Sequence, residues 1–270
     1  GYHIPNECVS HDVKQYLLGF SGRPVLSVGE LWREIDCVWN ELFLSNKRSL
    51  QAQPIGDFYS HPVWILNGLF SALDNESAKH REAIAQYVRS ISAKRIADFG
   101  GGLCELSIQL SKSSPASSIS IIEPFPSDLG KHRISEYSNI SILNALEEEY
   151  DVLIAQDVLE HVEQPIELAA QLSDSLSLGG FAVFANCFFP YIECHLPKTF
   201  HLRYTFSWVM KAAGLQYVGT IPGATHCQVF KKIDDVNYKG LLRRERYSKF
   251  IGPAYNMLYE LFKNIKNIKK

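Results

Sequence analysis

The hydrophobic period of the chain changes at residue 94, and that change constrains the fold more than any other feature. Beyond it, short β-branched runs alternate with helix-length stretches: Arg95 to Phe99, then 105–113; Ser118 to Ile122, then 126–136; Ile140 to Leu143; Tyr150 to Ala155, then 164–178; Phe181 to Ala185, then 205–213. Strands that alternate with helices are joined by right-handed crossovers and pair in parallel. The series ends differently, because Gln216 to Ile221 and Thr225 to Phe230 are separated only by Pro222-Gly223-Ala224. So short a turn joins antiparallel neighbours and predicts a closing β-hairpin. The expected architecture is α/β, a doubly wound, mostly parallel seven-stranded sheet with one antiparallel strand.

That sheet occupies residues 94–232, so two flanking regions need their own account. Residues 1–93 read as a helical N-terminal cap. Ser27-Val28-Gly29-Glu30 is a capping box, in which the serine accepts a backbone N–H and the glutamate reaches back to the serine's own. Trp32, Ile35, Val38, Trp39 and Leu42 follow at three- and four-residue steps, an apolar helical stripe. A second helix is expected after Ser60-His61-Pro62 and a third over 76–92, with Ala83, Ile84, Tyr87, Val88 and Ile91 on one face. Residues 233–270 read as a C-terminal helical extension. Its apolar face is Phe250, Ile251, Tyr255, Leu258, Leu261, Phe262 and Ile265, beside Lys263, Lys266, Lys269 and Lys270. That face is expected to pack on the domain, with a membrane surface or a partner as the alternative.

Composition excludes several classes. Apolar residues make up 46% and charged residues 21%, which rules out a disordered or collagen-like chain. No apolar run is long enough to span a bilayer, and Gly1 to Lys14 holds no signal-peptide core, so the expected location is the cytoplasm. A start at Gly1 rather than Met is expected of a processed or excised chain. The net charge of −2 hides a split: from Lys231 onward there are eleven Lys or Arg against four Asp or Glu, and residues 1–230 carry 16 against 25. Bulk charge therefore argues against a nucleic-acid partner. Six cysteines without a C-x-x-C pair fit a reducing compartment rather than a disulfide framework or a zinc ribbon.

Asp98-Phe99-Gly100-Gly101-Gly102-Leu103-Cys104-Glu105 follows a strand and opens a helix. Glycines there let a ligand approach the backbone, and the helix start presents free N–H groups. Glu123 ends the next strand, where a carboxylate can accept both hydroxyls of a ribose. A nicotinamide site would want a third glycine where Glu105 stands, and a phosphate-binding loop would want Gly-Lys-Ser/Thr, which is absent. Asp98 suits instead a cofactor carrying an amino acid, whose ammonium it can hold.

With these residues in place the chain resembles the class I S-adenosylmethionine-dependent methyltransferases over about Arg95 to Phe230. The segments are Ile96-Ala97-Asp98-Phe99-Gly100-Gly101-Gly102, Glu123, Asp157-Val158-Leu159-Glu160-His161-Val162, Leu176-Ser177-Leu178-Gly179-Gly180 and Met210-Lys211-Ala212-Ala213-Gly214-Leu215. The resemblance implies a Rossmann-like fold and S-adenosylmethionine as cofactor, with S-adenosylhomocysteine as product. It places Asp98, Gly100 and Gly102 at the methionine end and Glu123 at the ribose. Asn144 and Ala145 fall at the adenine, and Gln156 over the cofactor. Cys104 departs from the glycine common at its position, which puts tight packing of helix on strand in doubt.

Methyl transfer aligns a nucleophile with the methyl group and, for a hydroxyl, removes its proton, a task suited to histidine. His161, His195 and His201 are the candidates. Tyr59, His61 and Trp64, in an aromatic segment before the sheet, and Tyr191, after its fifth strand, are expected to meet the substrate. Arg81 is a lesser candidate for an anionic one. The expected reaction is methylation of a small-molecule or saccharide-containing metabolite, at oxygen in preference to nitrogen or carbon. Two alternatives stand beside it. Asp157, Glu160 and His161 resemble the metal-binding element of some magnesium-dependent members acting on RNA or catechols, and the chain could be a non-catalytic cofactor-binding module.

Overall fold

The computed structural model describes residues 4–21, 26–147 and 149–268; the side chains of Asn6, Glu260 and residues 262–268 lie outside the description. Strands β1 (Arg95–Phe99), β2 (Ser118–Ile122), β3 (Ile140–Leu143), β4 (Tyr150–Gln156), β5 (Leu176–Ala185), β6 (Leu215–Ile221) and β7 (Ala224–Lys232) form one sheet in the order β3-β2-β1-β4-β5-β7-β6. The first five pair in parallel, and β7 runs antiparallel to both β5 and β6. This is the expected sheet, hairpin included. The helices are α1 (His11–Leu18), α2 (Val28–Glu41), α3 (Ala52–Ser60), α4 (Val63–Leu73), α5 (Asn75–Ser90), α6 (Glu105–Ser113), α7 (Asp128–Ile134), α8 (Pro165–Asp174), α9 (Phe206–Met210) and α10 (Tyr238–Ile268).

Alternating apolar side chains bury both faces of the sheet. On one side Leu153, Ala155 and Phe184 pack with Ile166, Leu172, Phe206, Val209 and Leu241, from α8, α9 and the start of α10. On the other Ile96, Ile121, Ile154 and Val183 meet Ile84 and Val88 of α5 and Leu106 and Leu110 of α6. Helix α5 thus covers the sheet, whereas α2, α3 and α4 build a separate core of Leu31, Ile35, Trp39, Phe58, Val63 and Leu66. Cys194 and Leu196, from the loop after β5, are buried in that same core.

Local chemistry sets the element ends. The Ser27 capping box forms: Glu30 N–H donates to Ser27 Oγ at 3.3 Å and Ser27 N–H to Glu30 Oε2 at 2.8 Å. Helix α2 buries Leu31, Ile35, Val38 and Trp39, while Trp32 turns away from this core. Strand β5 begins at Leu176, where the apolar pattern had predicted helix to 178. The pairing with β4 slips between Tyr150 and Val152, and Gly180 lies there so close to the Asp151 and Tyr150 carbonyls that an added Cβ would fall 3.0 and 3.1 Å from them. The buried Lys232 ammonium donates to the Ser173 and Leu176 carbonyls at 2.8 and 3.0 Å, satisfying acceptors where α8 ends.

The C-terminal extension is one helix. Its inner side is Leu241, Ser248, Gly252 and Asn256, packed on the turn Pro197–Leu202. The face expected to pack there, Phe250, Ile251, Tyr255, Leu258 and Leu261, is exposed, because glycine and small polar side chains allow a closer approach than bulky ones. Phe262, Ile265 and the four lysines from Lys263 onward fall outside the described side chains.

Gly214 closes the turn before β6 with φ +71°, and a Cβ there would sit 1.9 Å from the Asp234 carbonyl oxygen. Gly214→Ala adds left-handed strain to a collision with backbone, so it is expected to lower stability by at least about 2 kcal/mol. The midpoint of urea unfolding measures this.

Candidate functional site

Parallel pairing brings four strand ends to one edge. Phe99 of β1 stands beside Ile122 of β2 and Ala155 of β4, and Gln156 of β4 stands beside Ala185 of β5. The strand order reverses between β1 and β4, so their departing loops diverge and leave a crevice. A cavity of about 970 Å³ opens there, walled by the turns after these strands and roofed by α2, α3 and α4.

The glycine turn forms its floor. Gly100 has φ +79°, its N–H donates to the Ile122 carbonyl at 2.9 Å, and a Cβ would strike Val158 at 2.7 Å. Gly102, at φ +52°, has nothing within 4 Å of where a Cβ would be, so its backbone is open to a ligand. Glu123 accepts the Gly102 N–H at 2.9 Å on Oε2 and the Phe125 N–H at 3.1 Å on Oε1. Asp98 is buried and accepts the Ser107 hydroxyl at 2.6 Å; desolvation pushes its pKa up to about 6 against the pull of that hydrogen bond. Cys104, at the left-handed N-cap of α6, packs without conflict because Gly130 faces its sulfur. Gln156 lines the cavity, whereas Asn144 and Ala145 are exposed and do not.

The loop after β4 carries the titratable cluster. Asp157 has φ +50° and is exposed, opening on the cavity. Glu160 is fully buried: Oε1 accepts the Cys187 N–H at 2.6 Å, and Oε2 has no partner among the described residues. Burial pushes the Glu160 carboxyl up, and the Asp157 charge raises it further, so the pair favours holding a proton or another cation. His161 Nδ1 lies 3.2 Å from the Cys194 carbonyl and His195 Nδ1 2.6 Å from the Phe189 carbonyl. A carbonyl only accepts, so both imidazoles carry their proton on Nδ1 and leave Nε2 as a lone pair. The two rings meet edge to face at 4.9 Å. Burial, with His195 adding to it, pushes the His161 pKa down to about 3; burial also lowers His195. Glu160, His161 and His195 each offer a ligand atom within 4.8 Å of the others, a set able to hold a metal ion.

Aromatic side chains enclose this cluster. Tyr59 and Trp64 stand edge-on to His161 at 6.4 and 6.1 Å. The Tyr59 hydroxyl and Trp64 Nε1 are buried donors without an acceptor among the described residues. His61 lines the cavity too, its Nδ1 accepting the Val63 N–H at 3.1 Å. Tyr191 stacks on Trp32 at 5.3 Å and 11°. Trp32 was legible only as part of the α2 stripe; its place one step from Leu31 turns it into the cavity. Phe125, Cys187 and the His80–His226 pair also line the wall without a motif to mark them. Arg81 is there as well, its Nη1 donating to the Ser71 carbonyl and hydroxyl at 2.9 and 3.1 Å. His201 does not reach the site. Its Nδ1 bonds Ser248 Oγ at 2.7 Å beneath α10, because the turn Pro197–Leu202 carries it away from the strand ends.

No protein-family profile and no curated protein matches the chain. Solved structures do. The CurJ carbon methyltransferase aligns over 83% of this chain and 72% of its own at 10% identity and TM-score 0.54. The plantazolicin methyltransferase BpumL, solved with a monoazolic desmethylPZN analogue and S-adenosylhomocysteine, aligns over 76% of this chain and 99% of its own at 14% identity and TM-score 0.49. The 1,6-didemethyltoxoflavin-N1-methyltransferase of Burkholderia thailandensis, solved with bound 1,6-didemethyltoxoflavin and S-adenosylhomocysteine, aligns over 78% of this chain and 93% of its own at 10% identity and TM-score 0.48. At such identities the likeness is one of architecture, and the strand order with its antiparallel β7 agrees with it: the chain has the Rossmann-like fold of the class I S-adenosylmethionine-dependent methyltransferases.

Proposed function

We propose that the chain is an S-adenosylmethionine-dependent methyltransferase that methylates a small molecule, at oxygen. The observation that carries this reading is the meeting, in one cavity, of the open glycine turn with two imidazoles whose Nε2 atoms carry lone pairs. The residues fit the cofactor. Gly102 leaves a cradle that a Cβ would fill, Asp98 offers a buried carboxylate to an ammonium, and Glu123 stands at the tip of β2 with lone pairs for two hydroxyls. When bound, the sulfonium supplies an activated methyl group.

The chain's own residues do the rest. As the acceptor's hydroxyl oxygen takes the methyl group, its proton would pass to an imidazole Nε2 of the cluster. His195 is the better base, because a group with a pKa near 3, as His161 has, takes a proton poorly. His161 instead fixes the aromatic wall. Burial keeps Tyr59 protonated, and its ring and that of Trp64 wall the acceptor's place beside His161. The aromatic surround excludes water from the transfer.

A second reading rests on the three ligand atoms of Glu160, His161 and His195 within 4.8 Å, with Asp157 adjoining. There a divalent cation would orient the acceptor oxygen and lower its pKa.

Three outcomes are expected. Glu123→Ala weakens S-adenosylmethionine binding about tenfold or more, roughly 1.4 kcal/mol, through lost charge-assisted hydrogen bonds; calorimetry reads this, and near-wild-type affinity would remove Glu123 from the cofactor site. Cofactor affinity falls as pH drops through about 6, since protonated Asp98 no longer pairs with an ammonium; titrations at pH 5 and 7.5, as order-of-magnitude brackets of that value, should differ for the native chain but not for Asp98→Asn. His195→Ala lowers kcat about a hundredfold with cofactor affinity intact. If EDTA also abolishes turnover and a divalent cation restores it, His195 acts as ligand rather than base.

A further inference from the structure

Helix α10 presents two unlike sides. Its inner side is fastened by Ser248, which bonds His201 Nδ1 at 2.7 Å, by Asn256, whose Nδ2 donates to the Phe200 carbonyl at 2.9 Å, and by Gly252, where a Cβ would lie 2.6 Å from the His201 carbonyl oxygen. The opposite side carries Tyr247, Phe250, Ile251, Met257, Leu258 and Leu261, at steps of three, four and seven residues. All are exposed, Phe250 by 85% and Met257 by 61%. Toward the helix start the same line reads Lys239, Arg243 and Arg246, all exposed. The outward stripe is therefore basic for two turns and apolar for the next four.

We propose that this stripe seats the chain on an anionic lipid surface, with α10 lying in the plane of the headgroups. A second copy of the chain fits poorly, because pairing two such stripes antiparallel would set the bases of one against the apolar residues of the other, and pairing them parallel would set bases against bases. A bilayer surface accepts both halves at once: phosphates pair with Lys239, Arg243 and Arg246, and Phe250, Ile251, Met257 and Leu261 enter the acyl boundary. Tyr247 is exposed on the same stripe, and tyrosine favours that depth. The chain from Lys231 onward carries eleven basic against four acidic residues, so the attraction extends along the tail. No helix among the described residues is long and apolar enough to cross a membrane, which leaves α10 to lie on one. This inference stands apart from the proposed reaction.

Flotation of the full chain with vesicles tests it. Binding to phosphatidylcholine vesicles containing phosphatidylglycerol, but not to phosphatidylcholine alone, and its loss in high salt are expected. Phe250→Glu with Met257→Glu should lower the bound fraction at least about tenfold, and Arg243→Glu with Arg246→Glu should remove the preference for anionic lipid. Both pairs are solvent-exposed, so far-ultraviolet circular dichroism should be unchanged. Failure of the native chain to float with anionic vesicles overturns the proposal, as does equal binding by the Phe250/Met257 variant. Dimerisation in light scattering that Phe250→Glu abolishes, without vesicle binding, overturns it in favour of a second copy.

Discussion

One buried carboxyl organises the site. Glu160 sits in the turn after β4 with no exposed surface, and it holds the loop after β5 from two sides: its Oε1 accepts the Cys187 N–H, and its own carbonyl accepts the Leu196 N–H at 2.9 Å. Those two bonds bracket the loop that contains Phe189, Tyr191 and His195. Fixing its ends brings His195 against His161 and delivers Cys194 and Leu196 into the core of the helical cap. A buried carboxyl is costly to keep charged, and the neighbouring Asp157 charge makes it more so. The fold accepts that cost where two loops and the cap must agree on one geometry.

The sheet was readable because each strand is a short β-branched run bounded by helix-length stretches, and because parallel strands buried on both faces need no alternation to be recognised. β5 was the exception: Leu176-Ser177-Leu178 continues a helical pattern, and only the Gly179-Gly180 slip against β4 turns it into strand. The glycine turn, Asp98 and Glu123 were legible for the same local reason, since each belongs to a strand end that pairing places at the cavity.

What escaped the sequence depends on contacts between distant segments. Trp32 and Leu31 are equally plausible core residues until the loop after β5 supplies Tyr191 for Trp32 to stack on. His201 lies six residues beyond His195, yet one faces the cavity and the other faces Ser248, a difference set by the turn Pro197–Leu202. The periodicity of α10 gave the apolar face but not which way it points, because the docking side is defined by Gly252 and Ser248, residues that hydrophobic patterns ignore.

The shared core of cap and loop bears on how molecules come and go. Cys194 and Leu196 belong by chain to the sheet and by packing to α2, α3 and α4, and Glu193 N–H donates to Asp36 Oδ1 at 2.7 Å across the same seam. A cap stitched in this way cannot swing aside as a rigid door without pulling apolar side chains into water. Among the side chains that line the cavity, Phe125 and Tyr191 are already half in solvent. A wall held in this way makes the shape of the cavity a property of the cap and the loop together, so a change on either side of the seam is felt on the other.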